Sequence, residues 1–130
     1  MRRHSLGFTL IELLVVVAIL GIISAIGVVA YSDYKASAEK KKAELTLNSI
    51  YLAEEEYKSN NGSYFASSSS TQIATELFDG KNEDDFKNQN YQFSIKVSGD
   101  TFEIKAKRKT DSCTLTLNEK NKLTAVGCDF

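Results

Sequence analysis

The chain of 130 residues predicts an α+β fold. One long N-terminal helix, membrane-spanning in its first half and amphipathic in its second, packs on a three- to four-stranded antiparallel sheet. Three observations carry this reading. The stretch from Leu13 to Ser32 holds no charged residue. No glycine or proline falls between Val28 and Asn61. Beyond Gln89 apolar and polar residues alternate in short runs.

The first element is the apolar block from Phe8 to Ala30. As a helix it spans roughly 34 Å, enough to cross a bilayer core. A buried core helix is disfavoured, because what remains of the chain is too short to wrap such a rod on every side. A cleaved secretory signal would end at a small-x-small site; Ala36-Ser37-Ala38 has that form but follows Asp33 and Lys35 and trails too long an apolar run. Arg2 and Arg3 precede the block and hold the N-terminus in the cytoplasm, so the rest lies outside. Lys35 and Lys40 to Lys42 oppose that orientation, but Asp33, Glu39 and Glu44 accompany them and a long domain translocates largely regardless of charge.

Helix-compatible sequence continues to Asn60-Asn61-Gly62, implying a helix about 80 Å long. Ala36, Ala43, Leu47, Ile50 and Tyr57 form one apolar face that should hold the head. Ala38, Leu45 and Leu52 lie nearly opposite, and we read them as covered by other subunits. Lys40 and Glu44 have i,i+4 spacing in its less favourable order.

Gly62 to Gln89 is polar and turn-like, with Ser67 to Ser70 consecutive and Ile73 and Leu77 on one side of a short helix from Gln72 to Phe78. Glu83-Asp84-Asp85 lacks the alternating ligand spacing of a calcium loop and reads as a solvated acidic loop. Tyr91, Phe93, Ile95 and Val97, the turn Gly99-Asp100, and Phe102, Ile104 and Ala106 predict a hairpin. Cys113 to Leu117 supplies a third strand; after a turn at Asn118 to Asn121, Leu123 to Val126 extends the sheet.

Charge and composition exclude whole classes of function. With 16 basic and 17 acidic residues and 42% hydrophobic residues, the chain is neither a basic nucleic-acid-coating protein nor an acidic disordered tail. His4 is its one histidine, and no metal or cofactor is expected. An enzyme reading has little support, because spacing identifies no carboxylate pair.

Glu12 is the one charged residue between Phe8 and Ser32. An acid at mid-bilayer depth costs about 2.5 to 3.5 kcal/mol on insertion scales. Taken alone, Glu12 either answers the dipole at the helix start or pairs with another charge.

A basic leader ending in Gly7, followed by Phe8-Thr9-Leu10-Ile11-Glu12 and the uncharged run, resembles the processing site of type IV prepilins and pseudopilins. The resemblance implies the pilin fold. It implies a peptidase that cuts after Gly7, methylation of Phe8, and retention of the apolar segment. Residues 1–7 become a cleaved leader and 8–34 the transmembrane and filament-core half of the helix. Residues 35–130 become an extracytoplasmic head: amphipathic helix 35–61, variable loop 62–90 and sheet 91–130. It further implies an inner-membrane subunit that joins an extracellular filament with itself and other pilins. Its partners would be prepilin peptidase, the inner-membrane assembly machinery and the membrane itself. Glu12 would then pair with the new amine of Phe8 on a neighbouring subunit. Many members carry a proline where this chain has Val29, which leaves Gly21 and Gly27 as the weak points of the helix.

In an extracytoplasmic head, Cys113 and Cys128, the only cysteines, are expected to be bonded. Their surroundings resemble the C-terminal disulfide loop of bacterial type IV pilins, which favours a pilus over a secretion pseudopilin. Two function classes remain open: a structural filament subunit serving motility, adhesion, DNA uptake or secretion, and a minor or DNA-uptake pilin whose head binds a ligand. Lys105, Lys107, Arg108 and Lys109 are the candidates for contacting DNA. Against them stands the reading of an ordinary solvated sheet face.

Overall fold

A computed structural model of the chain describes residues 7–81, 83–87 and 89–130, so the leader through Leu6, including Arg2, Arg3 and His4, lies outside the described residues. Helix α1 runs Leu10–Asn61, α2 Ser70–Phe78 and α3 Glu83–Lys87. The strands are β1 Tyr91–Ser98, β2 Thr101–Arg108, β3 Thr114–Asn118 and β4 Leu123–Val126. Two compact units result, Met1–Ala36 and Ser37–Phe130.

In the first unit α1 is long and apolar enough to cross a membrane. Its start is capped by Thr9, whose Oγ1 accepts the backbone N–H of Glu12 at 3.3 Å. Thr-x-x-Glu is the spacing of a capping box, so Glu12 has a local position at the third helical residue in addition to its charge.

In the second unit α1 turns Ala43, Leu47 and Ile50 into a core shared with Phe93, Phe102, Ile104, Leu115 and Leu117. Leu45 and Leu52 on the other side are 59% and 68% exposed. Glu44 pairs with Lys41 at 3.3 Å, not with Lys40: the i,i+3 geometry outcompetes the unfavourably ordered i,i+4 pair.

The sheet is an antiparallel meander in the order β1-β2-β3-β4. Ser98 stands opposite Thr101, and Gly99 takes a φ of 59°, the positive value that a type II′ turn places at its first loop residue. Alternation holds on β2 and β3, where Phe102, Ile104, Ala106, Leu115 and Leu117 are buried. It fails on β4, where all four residues are exposed, whereas β1, the other edge strand, keeps it. Tyr51 ties α1 to the turn before β4, its hydroxyl donating to the Glu119 carbonyl at 3.1 Å.

The segment after α1 is more ordered than a turn-like reading implies. Ser67 exchanges two backbone hydrogen bonds with Ile95, at 3.2 and 2.7 Å, and so flanks the free edge of β1. The Ser69 hydroxyl caps α2, and the acidic triplet is the first turn of α3, where carboxylates suit the helix dipole. Phe86 from α3 lies edge-on to Phe93, which holds α3 against the sheet.

Candidate functional site

The outer face of the sheet is set by strand alternation. Ile104 and Ala106 point inward, so Lys105 and Lys107 point to solvent. Lys105 stands between Ser94 and Thr116, and Lys107 between Gln92 and Thr114. Lys109 follows the end of β2, its backbone N–H bonded to the Asn90 carbonyl at 2.9 Å. The three lysines thus gather at one end of the outer face.

Their electrostatic states differ. Lys105 lies 3.3 Å from Glu103, which partly neutralises it. Lys107 and Lys109 enter no ion pair among the described residues. They line a hollow of about 400 Å³ with Gln92, Arg108, Thr110 and Asp111. A second hollow of about 420 Å³ adjoins it, bounded by Ser68 to Thr71, Lys87, Gln92 and Lys109. Glu83 hydrogen-bonds the Lys87 ammonium and holds its pKa above the usual lysine value.

Arg108 behaves otherwise. Its guanidinium meets Asp111 at 2.8 Å and Glu39 at 3.6 Å, and sits 4.7 Å over the ring of Phe130. With 15% of its side chain exposed, it braces the β2-β3 loop, the C-terminus and α1. Sequence reading grouped it with the lysines. Asp111 three residues on was a visible partner, whereas Glu39 and Phe130 meet it only through the fold.

The brace lies beside the disulfide that joins Cys113 to Cys128. Cys113 is buried, its backbone N–H held by Asp111 Oδ1 at 2.9 Å and its sulfur 3.6 Å from the Tyr91 hydroxyl. Burial pushes the Tyr91 phenol up against the opposing pull of Arg108. Gly127, at φ 71°, brings the returning chain so close that an added Cβ would sit 3.0 Å from the Ser112 carbonyl oxygen. Only glycine fits there without strain.

At the other end, Phe8 is 89% exposed and shares an apolar hollow of about 560 Å³ with Ile11, Glu12, Val15 and Val16. Gly7 immediately precedes it and is also exposed.

Sequence reading also missed Glu54. It is fully buried and accepts the Phe65 backbone N–H at 3.1 and 3.3 Å through its two oxygens. Burial raises its pKa to about 7, against the lowering effect of that hydrogen bond. Its spacing from Leu47, Ile50 and Tyr57 puts it on the apolar face of α1, which is the signal that could have found it.

An apolar N-terminal helix behind a methylation-type junction, joined to a disulfide-closed helix-on-sheet head, defines a membrane-anchored filament subunit. Residues 2–28 match the prokaryotic N-terminal methylation motif. Residues 30–119 match the family described as type IV minor pilin ComP, DNA uptake sequence receptor. Similar curated proteins include a type IV major pilin protein PilE1 of Neisseria gonorrhoeae, 37% identical over 83% of this chain and 68% of the relative. A fimbrial protein of Neisseria meningitidis serogroup B is 42% identical over 58% of this chain and 44% of that protein. The type IV major pilin protein PilA of Myxococcus xanthus is 38% identical over 45% of this chain and 26% of its own length. The chain therefore spans between about a quarter and about two thirds of these relatives. No solved structure matches it. The chain belongs to the type IV pilin family. As such it is a pilus subunit, anchored in the membrane through its apolar helix before it enters the extracellular pilus.

Proposed function

We propose that this pilin is a minor subunit whose head binds duplex DNA through Lys105, Lys107 and Lys109, with Arg108 positioning the loop that carries Lys109. The observation that carries the reading is that Lys107 and Lys109 are unpaired among the described residues, both lining the first hollow and Lys109 the second as well. Lysines so placed act as point charges for phosphate oxygens. The outward positions of β1 to β3 are Gln92, Ser94, Lys96, Ser98, Thr101, Glu103, Lys105, Lys107, Thr114, Thr116 and Asn118. None is aromatic, so this face offers no stacking platform for single strands and favours an intact duplex. The matched family's description as a DNA uptake sequence receptor supports the same direction.

Assembly belongs to the other end of the chain. Prepilin peptidase cuts after Gly7, Phe8 is methylated, and Glu12 pairs with the Phe8 amine of a neighbour as the inner-membrane machinery adds the subunit. Two charges that are costly alone in lipid are thereby joined, which selects one axial register. The exposed Leu45 and Leu52 are covered by neighbouring subunits. Nothing in this role calls for catalysis.

The experiment shears surface filaments from cells carrying the wild type or the variant Lys105→Ala/Lys107→Ala/Lys109→Ala and measures capture of a labelled duplex. Equal filament yield with capture reduced at least tenfold is the expected result; equal capture overturns the DNA reading. A second reading, a major shaft subunit, is favoured by similarity to proteins named major pilins. It requires this chain to be the dominant band in the sheared fraction.

A further inference from the structure

We propose that Gln92 is a base-reading residue of the DNA interface, recognising an adenine edge while Lys107 and Lys109 hold the flanking phosphates. This inference rests on the DNA reading above and goes further, because lysine contacts to phosphate position a duplex without reading its sequence.

Specificity needs a side chain that presents a fixed pattern of donors and acceptors to a base edge. An amide does so for adenine, accepting from N6 and donating to N7. The outward face of β1 to β3 carries two amides, Gln92 and Asn118. Asn118 is already engaged: its Oδ1 accepts the backbone N–H groups of Lys120 and Lys122 at 3.0 and 2.9 Å, shaping the β3-β4 turn. Gln92 is exposed and stands directly across the ladder from Lys107.

Its location is equally specific. Gln92 and Lys109 each border both hollows, so the amide sits where the two meet, with the unpaired Lys107 directly across the ladder and the unpaired Lys109 at the same junction. The acid within the first hollow, Asp111, is taken up by Arg108 at 2.8 Å and is thereby screened from a phosphate. Ser94 and Thr116, the polar neighbours one row further along, flank Lys105 with short side chains that are half-buried. The other acid on this face, Glu103, lies beyond Lys105 and is itself taken up by that ammonium at 3.3 Å.

The test uses the full chain in detergent micelles and a pool of duplexes with a randomised central segment. After selection, the wild type should enrich a motif with an adenine preference at one position. Gln92→Ala should flatten that preference at least tenfold. Gln92→Arg should convert it to guanine, since a guanidinium pairs with O6 and N7, a result that loss of folding does not produce. An unchanged motif in both variants overturns the inference. Wild-type binding without any enriched motif overturns it and leaves the DNA reading standing. Failure of the wild type to bind the pool removes both.

Discussion

The two carboxylate oxygens of Glu54 lie 3.1 and 3.3 Å from the backbone nitrogen of Phe65, so a fully buried acid on α1 closes the first turn after that helix. Burial raises its pKa from 4.5 to about 7, with Glu55 nearby adding to the rise. The folded state therefore holds a proton that the unfolded chain releases between those values. Stability from this group is fully present below pH 4.5 and is lost as pH rises through about 7. Between pH 5 and pH 8 the head should lose on the order of 1 to 3 kcal/mol. Glu54→Gln keeps an acceptor for Phe65 and should flatten the profile. Thermal unfolding followed by tyrosine fluorescence at several pH values checks this.

Arg108→Ala separates bracing from phosphate binding. Removing the charge-assisted hydrogen bond to Asp111, the contact with Glu39 and the packing on Phe130 should cost about 1 to 3 kcal/mol. The salt slope of DNA binding should fall by less than the roughly 0.9 that one lost phosphate contact removes. A loss of salt dependence equal to that of a lysine variant would place Arg108 on the phosphates instead.

Removing both half-cystines with Cys113→Ala/Cys128→Ala should destabilise the head by about 2 to 5 kcal/mol. For a unit of this size the midpoint falls by about 10 °C or more. Calorimetry of the oxidised wild type, the reduced wild type and the variant should place the last two together.

Glu12→Ala should leave the head folded and the chain in the membrane while assembled filament falls at least tenfold. Thr9→Val, which removes only the helix cap, should lower the yield far less. Equal yields from Glu12→Ala and the wild type would return Glu12 to a purely local role at the helix start.

Much of this architecture was legible because local patterns and the tertiary structure agree. Ala43, Leu47 and Ile50 recur at helical spacing and are buried together, and Gly99-Asp100 turns the hairpin where alternation breaks. The alternation of Phe102, Ile104 and Ala106 puts Lys105 and Lys107 on the outward face. The misreadings share a physical cause, which is that their partners are distant in sequence. Ser67 reads as loop until Ile95 supplies a ladder; Arg108 reads as a free cation until Glu39 and Phe130 close on it. Glu54 went unread, although it shares the apolar face of α1, and its partner at Phe65 arrives only with the following turn. Thr9-x-x-Glu12 was the exception: the capping signal is local and was there to be read.

The central claim is that the lysine end of the sheet holds DNA phosphates. Its most direct measurement is the affinity of the full chain in micelles for one duplex across a series of salt concentrations. Each phosphate contact contributes about 0.9 to the slope of log affinity against log salt. The account predicts that Lys105→Ala/Lys107→Ala/Lys109→Ala weakens binding at least tenfold and lowers the slope by about 2 to 3. Equal slopes for the variant and the wild type would contradict it.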